Sequence, residues 1–258
     1  MIAKPLAKSR ETVTPPARRT ARVPAGSVVY AIGDIHGRAD LLDLLHDRIA
    51  ADAALRQADR KVAVYLGDYV DRGLRSKAVI DRLLAAPLPG FETVFLKGSH
   101  EDVLLKFLEA PESGRDWMRC GGLETLASYS VTGLPVTDDP AAFRAACEAF
   151  RNRLPPAHLG FFRALALWHV EGDYFFAHAG VRPGVALDRQ SARDLMWIRD
   201  DFIHAREDFG KVVVHGHTPE GAPVMRSNRI GIDTGAWMTG MLTALALEED
   251  RRAFLDTA

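Results

Sequence analysis

The residues in this chain best suited to chemistry stand just after short apolar runs. Asp34 and His36 fall in GDIHG, and Asp68, Asp71 and Arg72 in GDYVDRG. His100 falls in GSHE, His178 in HAG, and His215 and His217 in HGHTP. A single Asp-x-His pair is ordinarily a capped turn. Five such turns bearing Asp or His are not explained that way. Carboxylate oxygens and imidazole nitrogens together suit manganese, iron or zinc better than calcium. There are enough of them for two ions, with one carboxylate shared. Two ions about 3.5–4 Å apart clamp the attacking and leaving oxygens of a displacement at phosphorus and acidify a bound water. Arg72 is suited to a bidentate phosphate contact. His100 is the natural proton donor to a leaving group if a carboxylate orients it.

The elements that must position these residues alternate. SVVYAIGD, KVAVYLGD and FETVFLKG read as strands, each followed by a helical pattern: ADLLDLLHDRIAADAAL, SKAVIDRLLAA and EDVLLKFLEA. This βαβαβ order predicts a mainly parallel sheet with right-handed crossovers. Ligands in such folds bind outside the carboxyl ends of the strands. Residues of about 111–166 contain turns and helical pieces such as AAFRAACEAFRNRL, and read as a helical cap insertion. Strands resume at YFFAHAG, KVVVHGHTP, RIGIDTG and MLTALALEE.

Composition sets outer bounds. The 258 residues are 47% hydrophobic and 26% charged, which are globular proportions. A net charge of −1 gives no field that would draw a nucleic acid duplex. Cys120 and Cys147 make neither a disulfide framework nor a zinc pattern, which fits a reducing, cytoplasmic setting. No apolar run approaches the roughly 18 residues of a membrane helix, and the N-terminus lacks the apolar core of a secretory signal. Residues 1–26 instead read as a disordered basic tail, with Lys4, Lys8, Arg10, Arg18, Arg19 and Arg22 against Glu11 and several prolines. The domain is then expected over 27–258.

GDIHG, GDYVDRG and GSHE, at these separations, resemble the three signature motifs of the phosphoprotein phosphatase family of metallophosphoesterases. HAGVRP, HGHTP and IDTGA resemble later motifs of its bacterial and phage branch, which includes lambda-phage phosphatase and the diadenosine tetraphosphatases. The resemblance spans about residues 28–247 and implies an αββα sandwich with a dinuclear site between two sheets. It implies that Asp34 and His36 hold the first ion, that Asp68 bridges, and that His178 and His217 hold the second. It makes His100 the general acid, oriented by Asp71, and Arg72 a phosphate ligand. LMWIRDDF resembles a bacterial-branch segment, which implies Arg199 as the second phosphate arginine, with Arg182 of HAGVRP as the alternative. His215 is expected to hydrogen-bond behind the metal site rather than ligate. Trp117, Gly121, Gly122 and Tyr129, in WMRCGGLETLASYSVTG, are expected either at the substrate entrance or in ordinary cap packing.

One position departs from the family. The resemblance implies an Asn metal ligand where this chain has Ser99, whose hydroxyl is shorter and a poorer donor. Weaker occupancy of the second ion is expected, and lower activity with it. A rival reading makes Ser99 a nucleophile with His100 as base, but no Gly-x-Ser-x-Gly elbow is present. The expected activity is that of a phosphomonoesterase acting on phosphoserine or phosphothreonine proteins with two divalent ions, manganese first and iron or zinc as alternatives. Two other readings stand beside it: a hydrolase of dinucleoside polyphosphates, and a weakly active relative that binds phosphorylated ligands.

Overall fold

The computed structural model describes residues 20–85, 88–133 and 139–258. Residues 1–19 of the expected tail lie outside them. The last residues of that expected tail are part of the domain. Arg22 N donates to Asp173 Oδ2 at 3.0 Å, Val23 N donates to Glu249 O at 3.0 Å, and the Val23 side chain is buried.

The first half runs β1 (Ser27–Ile32), α1 (Ala39–Ala54), β2 (Arg60–Tyr65), α2 (Ser76–Leu84), β3 (Glu92–Phe95) and α3 (Ser99–Glu109). The cap follows as α4 (Gly114–Trp117), α5 (Leu123–Ser128), α6 (Pro140–Arg153) and α7 (Pro156–Ala164), with no strand among its described residues. The second half holds β4 (Trp168–Glu171), β5 (Tyr174–Ala177), α8 (Ala192–Trp197), α9 (Asp200–Ile203), β6 (Val212–His215), β7 (Val224–Met225) and β8 (Arg229–Gly231). It closes with α10 (Ala236–Thr239), β9 (Thr243–Glu248) and β10 (Arg251–Asp256).

Two five-stranded sheets result, ordered β10-β9-β1-β2-β3 and β4-β5-β6-β8-β7. β1, β2 and β3 pair in parallel, as do β5, β6 and β8, while the flanking strands are antiparallel. The sheets stack through Val29, Ala31, Val62 and Val64 on one side and Tyr174, Phe176, Val214 and Ile230 on the other. Because strand side chains alternate, Val28, Tyr30 and Ile32 face outward, onto a core shared with Leu42, Leu45 and Ile49 of α1. Phe175, Ala177 and Val213 point away from the sheet interface onto Phe202 of α9. Helices therefore cover both outer faces, the four-layer αββα sandwich expected. Both faces of β1 are buried along its whole length, which is why it reads as a continuous apolar run.

This stacking sets the carboxyl ends of β1, β2 and β3 beside those of β5 and β6. Among the described residues, no helix is long and apolar enough to cross a membrane.

Candidate active site

The loops leaving these strands are locked together by backbone. The amides of Ile35 and His36 both donate to Asp68 O at 3.1 and 2.9 Å, and Gly73 N donates back to His36 O at 3.1 Å. Among described non-glycine residues, seven have positive φ, and five of these are His36, Asp68, Asp71, Arg72 and His217. A left-handed backbone at such residues costs on the order of 1–3 kcal/mol each and survives only where its surroundings impose it. Here the imposition falls on the residues that the motifs single out.

Asp68 lies at the centre of the cluster. Its Oδ2 is 3.6 Å from His36 Nε2 and its Oδ1 is 3.3 Å from His178 Nε2. His178 Nε2 is 3.1 Å from His217 Nδ1. The Nδ1 atoms of His36 and His178 each lie 2.9 Å from a backbone carbonyl, of Val70 and Leu66 respectively. These contacts hold Nδ1 as the protonated nitrogen and turn both Nε2 atoms toward Asp68. Asp34 Oδ2 accepts from His217 N at 3.1 Å, whereas its buried Oδ1 has no hydrogen-bond partner, nor has the buried Nε2 of His217.

The electrostatics point the same way. Burial, followed by the Asp233 and Asp68 carboxylates, pushes the Asp34 carboxyl well above its usual range. Burial lowers His36 to about 3, and burial with the nearby His178 lowers His217. Burial would raise Asp68 too, but His178 and His100 outweigh it and hold the group far down. His36 and His217 are held neutral, whereas Asp68 outweighs burial at His178 and raises its pKa. With the crowded buried carboxylates and an orphaned oxygen they make a donor set that fits divalent cations, whose charge would displace that proton. Two such groups overlap at Asp68: one with His36 and His100, the other with His178 and His217. Ser99 Oγ stands 3.4 Å from both Asp68 oxygens and from His217 Nδ1, at the edge of the second group. It has no hydrogen bond to His100 among those of the described residues, so the nucleophile reading finds no geometric support.

Gly216 is required by this packing, because a Cβ there would overlap Asp34 Oδ1. We expect Gly216→Ala to displace Asp34, costing about 1–3 kcal/mol of stability and lowering bound manganese. Thermal melting with and without manganese checks this; unchanged melting and metal content would contradict it.

His100 belongs to a separate arrangement. Its Nδ1 lies 2.6 Å from Asp71 Oδ2, with Nε2 turned toward Asp68 at 3.9 Å. Burial alone would depress the His100 pKa, but Asp68 and Asp71 outweigh it and raise the value, favouring the protonated ring. Asp71 is itself clamped by the cap: Trp117 Nε1 donates to Oδ2 at 2.8 Å and Thr125 Oγ1 to Oδ1 at 2.6 Å. Trp117 is thus buried against Asp71 and packed in the cap, and Tyr129 is buried too, paired with His158 at 2.7 Å. Gly122 packs against the Trp117 ring. Gly121 is at the site: its carbonyl accepts from Arg72 N at 3.2 Å, and its φ is +108°.

Two contributors escaped the sequence reading. Thr125 is one. Glu101 is the other: fully buried, its carboxylate accepts from the amides of Asp68, Tyr69 and Gly98 at 2.8–3.0 Å and so shapes two loops at once. Burial, then Asp68, raises its pKa to about 7. An acid in the first turn of a helix is favoured by its dipole alone, so nothing in the spacing of Glu101 announces this role.

The arginines separate cleanly. Arg182 is held by Asp194, through Nε at 3.0 Å and Nη2 at 2.6 Å, and by Asp201 at 2.7 Å. Arg72 and Arg199 have no carboxylate partner among the described residues. The Arg72 guanidinium instead lies over the Trp237 ring, 5.1 Å from its centre. Arg199 and Arg182 both line an open cleft of about 620 Å³, but it is the charge of Arg199 that is felt at His217. His215 does not face the cluster: its Nδ1 lies 3.0 Å from Gly216 O and its Nε2 accepts from Arg229 at 3.1 Å. We expect Arg199→Ala to lower kcat/KM about 100-fold, the scale for removing a charge-stabilising donor, and Arg182→Ala to change it by less than about threefold. Equal losses in the two variants would contradict this division.

A buried carboxylate-imidazole cluster between the sheets of an αββα sandwich, with free arginines beside it, defines a metallophosphoesterase. The chain belongs to the calcineurin-like phosphoesterase family, whose pattern matches residues 27–240. Among curated proteins it resembles the asymmetrical bis(5'-nucleosyl)-tetraphosphatase PrpE of Anoxybacillus flavithermus, 28% identical over 238 residues, covering 84% of this chain and 89% of that one. The corresponding protein of Bacillus thuringiensis is 26% identical over 239 residues, with the same coverage. The fold is shared with a crystal structure described as a "putative diadenosine tetraphosphatase", at a TM-score of 0.58 and 19% identity, covering 92% of this chain and 99% of that one. It is also shared with a protein serine/threonine phosphatase of Saccharomyces cerevisiae, at a TM-score of 0.50 and 13% identity, covering 90% and 79%.

Proposed function

We propose that the chain hydrolyses dinucleoside polyphosphates, splitting a tetraphosphate bridge unequally into nucleoside mono- and triphosphate. The observation that carries this reading is the near full-length likeness to relatives named for that reaction. The phosphoprotein reading has thinner support, since the solved protein phosphatase shares the fold alone at 13% identity.

Asp34, His36 and Asp68 would hold one divalent ion, and Asp68, Ser99, His178 and His217 the other. Manganese suits this mixture of oxygen and nitrogen donors. Such ions supply positive charge for the phosphoryl oxygens and a water acidic enough to attack phosphorus. The chain's own groups do the rest. Arg72 and Arg199, one from the loops of each sheet, bind the remaining phosphoryl oxygens and fix the bridge in line. His100 Nε2 faces the reacting region and passes its proton to the departing oxygen as the P–O bond breaks. Asp71, clamped by Trp117 and Thr125, holds the ring in that orientation. The reaction is assigned to the cytoplasm, where nucleotides and the two free cysteines are at home.

Initial rates with manganese on diadenosine tetraphosphate and on a phosphoserine peptide test the assignment. The dinucleotide is expected to be preferred by at least about 100-fold in kcat/KM, the scale on which buried polar contacts discriminate substrates. Preference for the peptide would sink it.

A further inference from the structure

Scattered exposed apolar residues need no explanation, but a group of them at a catalytic mouth does. Against Arg72 the chain exposes Trp237 at 40%, and Leu74 at 73%, Leu123 at 43% and Met238 at 63% are exposed close in sequence to Arg72, Gly121 and Trp237 respectively. Leu74 follows Arg72 by two residues. Leu123 follows Gly121 by two, and the Gly121 carbonyl is bonded to the Arg72 amide. Trp237 opens into solvent while part of its ring lies under the Arg72 guanidinium. The helix that bears it, α10, is tied to the site side by Arg38 Nη1, which donates to Ala236 O at 3.0 Å.

We propose that Trp237 is the platform on which a nucleobase of the substrate stacks, and that it selects nucleotides over simple phosphoesters. The inference names the substrate contact within the dinucleotide reading above and rests on it for the physiological ligand. An arginine with no carboxylate partner is available to a phosphoryl group, and the indole face beneath it holds its side chain in place by cation–π attraction. A nucleotide whose phosphate meets Arg72 carries its base one ribose away, within reach of the exposed part of that ring. Indole is the strongest stacking surface among side chains, and every base has a flat π face. A phosphoserine peptide offers no flat group at that distance.

Calorimetric binding of ATP and of inorganic tripolyphosphate to the manganese-loaded chain tests this, because the two share three phosphoryl groups and differ by the nucleoside. ATP is expected to bind about tenfold more tightly, the lower range of one base stacked on an aromatic ring. Trp237→Leu should bring the two affinities within about twofold, weakening ATP about tenfold and tripolyphosphate by no more than about twofold through the loss of the indole under Arg72, and Trp237→Phe should keep most of the gap. Three results would overturn the proposal: no preference for ATP in the unaltered chain; equal weakening of both ligands by Trp237→Leu, which would mean the indole only holds Arg72; or collapse of the gap in Trp197→Leu instead, since Trp197 is the other exposed indole beside the cluster. Binding is read without turnover. A chain that stacks ATP on Trp237 but does not split diadenosine tetraphosphate would refute the proposed reaction and support the platform.

Discussion

Asparagine in place of Ser99 should raise both bound metal and turnover. At micromolar free manganese the natural chain is expected to hold close to one ion and Ser99→Asn close to two, with kcat rising on the order of 10–100-fold, the range over which single ligand-shell changes alter metal sites. The reason is reach. Ser99 is 2% exposed, at the start of α3, and its Oγ stops 3.4 Å short of both Asp68 oxygens and of His217 Nδ1. Those separations are too long for good hydrogen bonds to a hydroxyl. An Asn side chain extends one bond further from the same backbone and ends in a stronger oxygen donor. Backbone geometry should not change, because the amide of His100 donates to Asp68 Oδ1 at 2.9 Å and anchors the turn. Metal analysis after equilibrium dialysis, together with steady-state rates, reads both effects. Equal stoichiometry and rate in the two chains would show that position 99 is not a ligand position.

Removal of the His100 side chain should have an effect that depends on the leaving group. His100→Asn is expected to lower kcat on phenyl phosphate about 10³-fold, within the range for a lost general acid. Phenolate leaves with a proton affinity near pKa 10, so it needs the donated proton. A nucleotide leaves from an anhydride as a phosphate, with a second pKa near 6. The loss on diadenosine tetraphosphate should therefore be at least about tenfold smaller. The geometry behind this is the 2.6 Å contact of His100 Nδ1 with an Asp71 carboxylate that Trp117 and Thr125 hold on both oxygens. Parallel rate measurements on the two substrates decide it. An identical loss on both would make His100 a residue that positions Asp68 and not a proton donor.

Much of this candidate site could be read as a local pattern, and the structure brings those residues together. Each metal-site residue lies within a few positions of a strand end, where a Gly-containing turn marks the place, and the apolar runs before the turns are long enough to identify. The supports were not legible because they act across distance. Trp117 and Thr125 reach Asp71 over 46 and 54 residues, through a cap whose docking no periodicity announces. Glu101 stands in the first turn of α3, where an acid is common, and only the approach of the GDYVDRG loop makes it the buried acceptor of two loops. The ion pairing of Arg182, which separates it from Arg199, rests on Asp194 and Asp201, whose proximity depends on how α8 and α9 pack. Edge strands β4, β7 and β10 escaped for a related reason. β7 has only two residues, and such short strands are defined by their partners more than by their own pattern.

Product analysis with diadenosine tetraphosphate tests the central claim most directly. The chain is stripped of metal with a chelator, returned to manganese or left without it, and the nucleotides are separated by chromatography. AMP and ATP are expected in equal amounts, formed only when manganese is present and abolished in Asp68→Asn. Two molecules of ADP, equal activity in the metal-free chain, or no cleavage under conditions where a phosphoserine peptide is dephosphorylated would contradict it.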